Sequence, residues 1–544
     1  MRFLNNAKRL LLLIVLLGLG LASACAPLAA AERSAESPLP PERPLSFQTR
    51  PAEDSVRPPL AADLAADLAA ELAELSVEKA VLLALRNNGD LQVRQQTPVI
   101  VGAFEQIERG VFDPELFAET EYFRERTSET SRSTGEEFEV TGDDLTAVAG
   151  LRQRLPTGTT LETSLSRQRT TSSRTPEQQT ARLGLSVTQS LLRGFGPAVN
   201  LATVRQAELD TLASIDELRG FSEALLADSE IAYWNYVLAK EEIAIFEASL
   251  EVARKQREEV ELRIEVGILP EIEAAAARAE EALRVQLLIN ARSLLEERRL
   301  RLLRLISPSA DGHLDRQLTA ISDPRLPPQP ISDLDDRLQL AEQSRPDLNE
   351  ARRRLQQSRL ETVVTRNGLL PRLDFFVALG KSGFADSFAE SFRRLDGDSY
   401  DLSAGLRLNY LLGNRPARAQ NLAAHAGRQQ ASAALANLRQ LVHLDVRLAV
   451  NEVERTRRQI DASRATRIFR EQTLAAEQER FEVGTSTALL VAQAQRDLLE
   501  TRIAESQAIV DYRIALVGLY RAEGSLLDRR GVAIVAAPAP AALR

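Results

Sequence analysis

The chain has 544 residues, 44% hydrophobic but only 5% aromatic, with a formal net charge of −9. Its 68 basic residues are scattered among 77 acidic ones without a basic stripe, which argues against a nucleic-acid-binding protein. A single cysteine excludes a disulfide framework or thiolate metal cluster, and the Ala, Leu, Glu, Arg and Gln bias favours long helices over several ordinary domains.

Residues 1–25 read as a secretion signal: Arg2, Lys8 and Arg9 precede an apolar run from Leu10 to Leu21, and small residues follow. The run is too short to span a bilayer comfortably, and no later apolar stretch approaches spanning length, which excludes a helical inner-membrane protein. Cys25 follows Ala22-Ser23-Ala24, a setting similar to a bacterial lipoprotein cleavage box, although the third residue before the cysteine is alanine rather than leucine. Two readings stand: Cys25 is acylated and anchors the chain, or ordinary cleavage after Ala29 leaves no anchor. Residues 26–59 form a linker with seven prolines between Pro38 and Pro59, and 60–75 a low-complexity amphipathic helix with leucines at Leu60, Leu64, Leu68, Leu72 and Leu75.

The remainder is written twice. Asn88-Gly89-Asp90-Leu91 recurs as Arg345-Pro346-Asp347-Leu348, and Asp113-Pro114 as Leu370-Pro371. Gly194-Phe195-Gly196-Pro197 answers Gly413-Asn414-Arg415-Pro416, and Val266-Gly267-Ile268 answers Val483-Gly484-Thr485. A self-similarity this long denotes one structural unit used twice. Nearly all the shortening of the spacing between copies falls between Pro114 and Gly194, so the first copy carries an insertion of roughly 40 residues.

Repeat 1 (76–306) opens at Ser76, an expected N-cap with Glu78 in the first turn. A β region at 115–190 and a long helical hairpin at 197–306 follow. An inter-repeat loop (307–333) leads to repeat 2 (334–527), with a helix, a β-hairpin at 372–411 and a second long helical hairpin at 416–523. Residues 528–544 are expected to be a flexible tail. Proline is absent between Pro197 and Pro270 and between Pro416 and Pro538. A helix of about 65 residues there would run ~100 Å, and each would reverse at its Val-Gly step. Leu435, Leu438, Leu441, Leu444 and Leu448 have the spacing of a buried stripe.

In the β regions the period changes from 3.6 to 2. Tyr400, Leu402, Ala404, Leu406, Leu408 and Tyr410 alternate with Asp401, Ser403, Gly405, Arg407 and Asn409. Ala181 to Val187 and Leu373 to Leu379 repeat the alternation, as a membrane β-barrel requires. The insertion adds Leu145–Leu155 and Thr159–Arg167 around Pro156-Thr157-Gly158, a good turn. The second copy offers two strands and the first two to four, too few to close a pore. Open edges are not tolerated in lipid, so several protomers must share one barrel.

These residues, with Leu75-Ser76-Val77-Glu78-Lys79-Ala80, Gln189-Ser190-Leu191-Leu192-Arg193-Gly194 and Ala232-Tyr233-Trp234, resemble the TolC family of outer-membrane efflux proteins over about 75–527. The resemblance implies a mainly α fold of two repeats: long helical hairpins forming an α-barrel, and a membrane β-barrel with four strands per protomer, six if the insertion joins. The family pattern favours the insertion as an ornament outside the membrane. It further implies a homotrimer in outer-membrane lipid, serving as exit duct for a periplasmic adaptor and an inner-membrane transporter, in a tripartite drug pump or a type I secretion system. The alternatives are a periplasmic coiled-coil adaptor without a pore, against which the strands argue, and a secreted enzyme.

For an enzyme the sequence offers no site. His313, His425 and His443 are isolated from one another, and Gly194-Phe195-Gly196 lacks the third glycine of a dinucleotide fingerprint. Trp234 with Tyr233 and Tyr236 reads as helix packing. No cofactor or metal is expected. At the periplasmic end, Val266, Gly267, Ile268, Leu269, Val483, Gly484 and Thr485 are expected as exposed tips that dock the adaptor. Where the family often places gate aspartates this chain has Leu490 and Gln493, with Phe481 for a tyrosine and Ser486 for an arginine. Glu271 and Glu273 could supply charge, but an apolar constriction at Leu489 and Leu490 is the expected gate.

Overall fold

The computed structural model describes residues 74–532, apart from 131, 175, 308–312, 326 and 332. The signal segment with Cys25, the proline-rich linker and nearly all of the amphipathic helix lie outside the described residues. Both repeats share one order of elements. In repeat 1, α1 (Val77–Asn87) and α2 (Gly89–Arg109) lead to strands β1 (Glu115–Thr130), β2 (Glu137–Arg154), β3 (Thr159–Ser172) and β4 (Gln178–Ser190), then to helices α3 (Ala202–Glu265) and α4 (Ile272–Ile306). In repeat 2, α5 (Leu334–Ser344) and α6 (Pro346–Gly368) lead to β5 (Arg372–Ala385) and β6 (Tyr400–Asn409), then to α7 (Arg415–Glu482) and α8 (Ala488–Glu523).

Helix ends follow local chemistry. Ser76 accepts from the Lys79 amide at 3.2 Å and caps α1; Asn88 accepts from the Leu91 amide at 3.0 Å and opens α2. Asn87 and Asn88 also donate to the last carbonyls of α4, Ile306 at 3.1 Å and Leu305 at 3.2 Å, joining the start of repeat 1 to its end. The unbroken stretches become helices of 64 residues (α3) and 68 residues (α7). Among the described residues no helix is long and apolar enough to cross a membrane.

The largest core lies where α1, α3, α4 and α8 meet: Leu75, Ala80, Tyr233, Trp234, Leu302, Leu303, Ile306 and Val510 are all buried. The Tyr233 hydroxyl donates to Leu75 O at 2.9 Å and Tyr236 to Leu318 O at 2.7 Å, so both polar tips are satisfied inside the core. Trp234 packs edge-on against Tyr233 and beneath Arg513, as expected of a packing residue.

Three places add to or modify the sequence reading. Leu75, the last residue of the expected amphipathic helix, makes a bridge to Ala320. The tail expected from residue 528 is tied down at its start. A short helix, Leu526–Arg529, buries Leu526 and Leu527, and Arg530 makes two hydrogen bonds, 2.6 and 2.5 Å, to fully buried Glu230. The leucine stripe of α7 is divided: Leu435 and Leu438 are partly buried, while Leu441, Leu444 and Leu448 are exposed and Val442, Val446, Val453 and Ile460 fill the interior. Roughly 140° of helix rotation separates these sets, and leucine spacing alone does not say which of two apolar faces turns inward.

Beside the short helix, Glu223 on α3 is buried, with Arg219 at 3.6 Å and Asp528 and Arg345 nearby. Burial pushes its carboxyl up to about 7, against the attraction of Arg219. A folded-state value above the unfolded one means that folding binds a proton, so this group's contribution to stability falls as pH rises from about 4.5 to about 7. Glu223→Gln is expected to remove up to about 3 kcal/mol of that slope. Thermal melts at pH 5 and pH 8 should lie closer together in the variant; an unchanged gap would refute the assignment.

All six strands form one antiparallel sheet in sequence order, β1 to β6. The inserted hairpin is therefore continuous with the other strands of the sheet. β1 and β5 both start after the proline that recurs in the two repeats, and β4 and β6 both end at the glycine turn, so β2–β3 is the added hairpin. Its turn is bound to the junction between β4 and α3. Asn200 Nδ2 donates to Pro156 O at 3.1 Å and Gly194 O at 2.8 Å, and the Gly196 amide donates to Thr157 O at 3.1 Å. Gly158 (φ +86°) lies so close to Gly194 O that a Cβ would collide with it, so glycine is required there.

Candidate functional site: the hairpin tips and the junction above them

Each long hairpin reverses at its glycine by the same hydrogen bonds. The Gly267 amide donates to Ile264 O at 2.9 Å and Ile268 N to Arg263 O at 2.8 Å; Gly484 N donates to Phe481 O at 3.1 Å and Thr485 N to Arg480 O at 2.9 Å. Gly267 (φ +78°) and Gly484 (φ +75°) occupy the left-handed conformation that ends a helix this way. Thr487 then caps α8, its hydroxyl accepting from the Leu490 amide at 3.4 Å.

The structure brings the two tips together. Val260, Ala277, Phe481, Ala488 and Val491 form one buried cluster, with Ile264, Leu269 and Leu474 packed against it. The Arg263 guanidinium lies over the Phe481 ring at 4.9 Å. Phenylalanine is at home here because its whole ring is enclosed. Val266, Ile268 and Val483 stay exposed around the glycines, and Thr485 is exposed beside them. Leu269 departs from expectation: it turns inward onto the cluster. Ile272, 78% exposed, takes its place on the apolar surface, unflagged because it falls on the first turn of α4 rather than in the Val-Gly motif.

Among the gate candidates, Leu489 and Leu490 are about half exposed and Gln493 is exposed, one turn further along α8. Ala488, Val491, Ala492 and Gln495 face the protomer's own interior. Glu271 is exposed and Glu273 half-buried at the start of α4. The α8 face free of its own protomer is thus led by leucines. Leu490→Ser is expected to raise single-channel conductance, whereas Glu271→Gln with Glu273→Gln should change it little; the reverse ranking in planar bilayers would refute an apolar gate.

Above the tips lies a buried polar group that sequence reading missed. Arg284 and Glu280 on α4 are in contact at 2.5 Å, and Arg496 of α8 approaches Glu280 at 3.3 Å. Burial pulls the Arg284 guanidinium below its ordinary range; Glu280 opposes this and Arg496 adds to it. Gln256 of α3 and Gln495 of α8 complete the group, both with a side-chain nitrogen that has no aligned hydrogen-bond partner within the chain. The signal was present: Ala277, Arg284, Leu288 and Ala291 follow the seam of α4, and a charge on such a seam marks a buried pair.

Among the described residues no cluster of His, Cys, Asp and Glu is placed to hold a metal ion. His443 meets Glu342 at 2.7 Å between α7 and α5.

Residues 337–525 match the family model for outer membrane efflux proteins. Solved structures share the fold across most of the chain. The CmeC outer membrane channel of Campylobacter jejuni is 18% identical with a TM-score of 0.61, covering 83% of this chain and 86% of that one. VceC, an outer membrane protein of Vibrio cholerae, is 16% identical with a TM-score of 0.60, covering 82% and 96%. A membrane protein of Pseudomonas aeruginosa is 21% identical with a TM-score of 0.62, covering 82% and 93%. No curated protein matches by sequence.

Proposed function

We propose that this chain, whose second repeat is an outer membrane efflux protein domain, is the outer-membrane exit duct of a tripartite efflux pump. Three copies share one β-barrel in the outer membrane and one α-barrel in the periplasm, and a periplasmic adaptor links their tips to an inner-membrane transporter. The duct is a channel component, not an enzyme: it conducts passively, and energy enters at the transporter.

The observation that carries this reading is the union of membrane-type strands with helices of 64 and 68 residues in a single chain. The helices would run ~100 Å at 1.5 Å per residue, a length suited to crossing a compartment. A second observation supports shared assembly. Val93, Ile100, Phe104 and Ile107 form an exposed apolar stripe along α2, and Leu441, Leu444 and Leu448 another along α7. Surface of this kind marks an interface, here with neighbouring copies.

Purified protein in planar bilayers is expected to conduct, and light scattering in mild detergent to give a trimer. A stable monomer, or absence of conductance under all voltages, would overturn the duct and favour the pore-free adaptor. An acylated Cys25 would add a lipid anchor; mass spectrometry of the mature N-terminus distinguishes it from cleavage after Ala29.

A further inference from the structure

We propose that the inserted β2–β3 hairpin is part of the lipid-facing barrel wall, so that each protomer supplies six spanning strands and the trimer an eighteen-stranded exit. This rests on the outer-membrane reading above and concerns how wide that barrel is.

The cross-strand register places one apolar face across all six strands. Leu116, Leu151, Thr163, Leu185, Leu379 and Leu402 lie level with one another on β1 to β6. The next level on the same face holds Ala118, Ala149, Leu165, Leu183 and Tyr400, with Lys381 on β5 as its one charged member. The opposite face of the inserted hairpin pairs Thr146 with Gln168, Val148 with Ser166 and Gly150 with Ser164, a surface of small and polar groups suited to a wet lumen.

The limits of the apolar face are not level; they climb. On β6 the face runs from Leu408 up to Tyr400, whereas on β1 it runs from Leu116 up to Tyr122. Leu116 is level with Leu402, six residues above Leu408, and Tyr122 stands four residues above Ala118, the residue level with Tyr400. Both limits therefore rise by about one residue per strand, which at ~3.3 Å rise and ~4.8 Å strand spacing corresponds to a tilt of about 35°. That is the tilt of a closed membrane barrel, because a flat bilayer crosses each tilted strand at a shifted position. On the inserted hairpin the lower limit steps up from Leu161 on β3 to Leu151 on β2, level with Leu116, while the upper limit is still level with Tyr400 at Leu165 on β3 and steps up four residues to Leu145 on β2, level with Tyr122. A hairpin outside the membrane would have no reason to keep this phase. Barrel width grows roughly linearly with strand number, so the exit is about 1.5-fold wider than four strands per protomer would make it.

Tryptophans placed singly in the full-length trimer, reconstituted in phosphatidylcholine vesicles containing acyl-chain spin-labelled lipid, test this; the constant signal of buried Trp234 is subtracted. Ala149→Trp and Leu165→Trp are expected to be quenched within about twofold of Leu402→Trp, and Val148→Trp and Ser166→Trp several-fold less. Quenching at Leu402→Trp without quenching at Ala149→Trp and Leu165→Trp would overturn the six-strand wall. Absence of quenching at Leu402→Trp would instead overturn the barrel reading on which it rests. Strand counting in trimer projections by electron microscopy gives an independent readout: eighteen supports the proposal, and twelve refutes it.

Discussion

Export is expected to be abolished when Gly267 and Gly484 are both replaced by tryptophan, with trimer yield and membrane localisation unchanged. Both glycines sit at exposed reversals with open space where a Cβ would stand, so a bulky side chain has room to point away from the protomer. The left-handed conformation costs an L-residue roughly 1–2 kcal/mol, a local strain that an exposed turn between helices of this length can absorb. What changes is the outer surface: the small apolar tip of Val266, Ile268, Ile272 and Val483 gains two large rings where an adaptor would dock. Asparagine tolerates the same conformation and serves as the control, since Gly267→Asn with Gly484→Asn keeps the turns while adding little bulk. Drug-susceptibility assays in cells expressing the whole pump supply the readout. Survival of export in the tryptophan variant, or loss of the trimer with it, would show that the tips do not dock a partner.

A second large effect is expected at the buried charges above the tips. Among the described residues Glu280 is the one acid in contact with both Arg284 and Arg496, so Glu280→Ala leaves the buried Arg284 guanidinium without its partner and beside the partly exposed cation of Arg496. Breaking a buried pair by removing one partner typically costs about 3–5 kcal/mol. Here the two cations belong to different helices, α4 and α8, so their repulsion acts to separate the two hairpins. The variant should melt earlier and conduct more than the parent. Replacing the group as a whole (Glu280→Leu with Arg284→Met and Arg496→Leu) should restore the melting temperature, because apolar side chains of similar volume need no partner. A Glu280→Ala protein with unchanged melting and unchanged conductance would show that these charges do not hold the hairpins together.

The legibility of the candidate site varied residue by residue for physical reasons. Gly267 and Gly484 were readable because a helix reversal needs a left-handed residue, and the chain states that need locally. Leu489 and Leu490 were readable as an apolar replacement for charge only through resemblance, since two adjacent leucines on a helix could equally face the protomer's own core. Leu269 and Ile272 were exchanged in the reading, because neighbours at a helix start differ in exposure by the angle at which the next helix leaves the turn. Glu280 and Arg284 stand i,i+4 on α4, a spacing that serves a surface pair equally well, and only the position of α8 makes them interior.

By itself the sequence determined what short-range periodicity can carry: the duplication, two uninterrupted helices with their glycine reversals, and strands whose alternating faces ask for lipid on one side. These depend on the 3.6- and 2-residue repeats of backbone geometry, which each segment expresses without its neighbours. Tertiary structure alone decided where the inserted hairpin goes, which leucines of α7 turn inward and which charges meet. The pairing of β4 with β5 joins Ser190 to Asp374 across the whole first helical hairpin, and no local pattern records such a partner. Register between distant strands and rotation of one long helix against another are settled by summed burial and hydrogen bonding over the assembled chain, where a shift of one residue would turn every side chain to the wrong face.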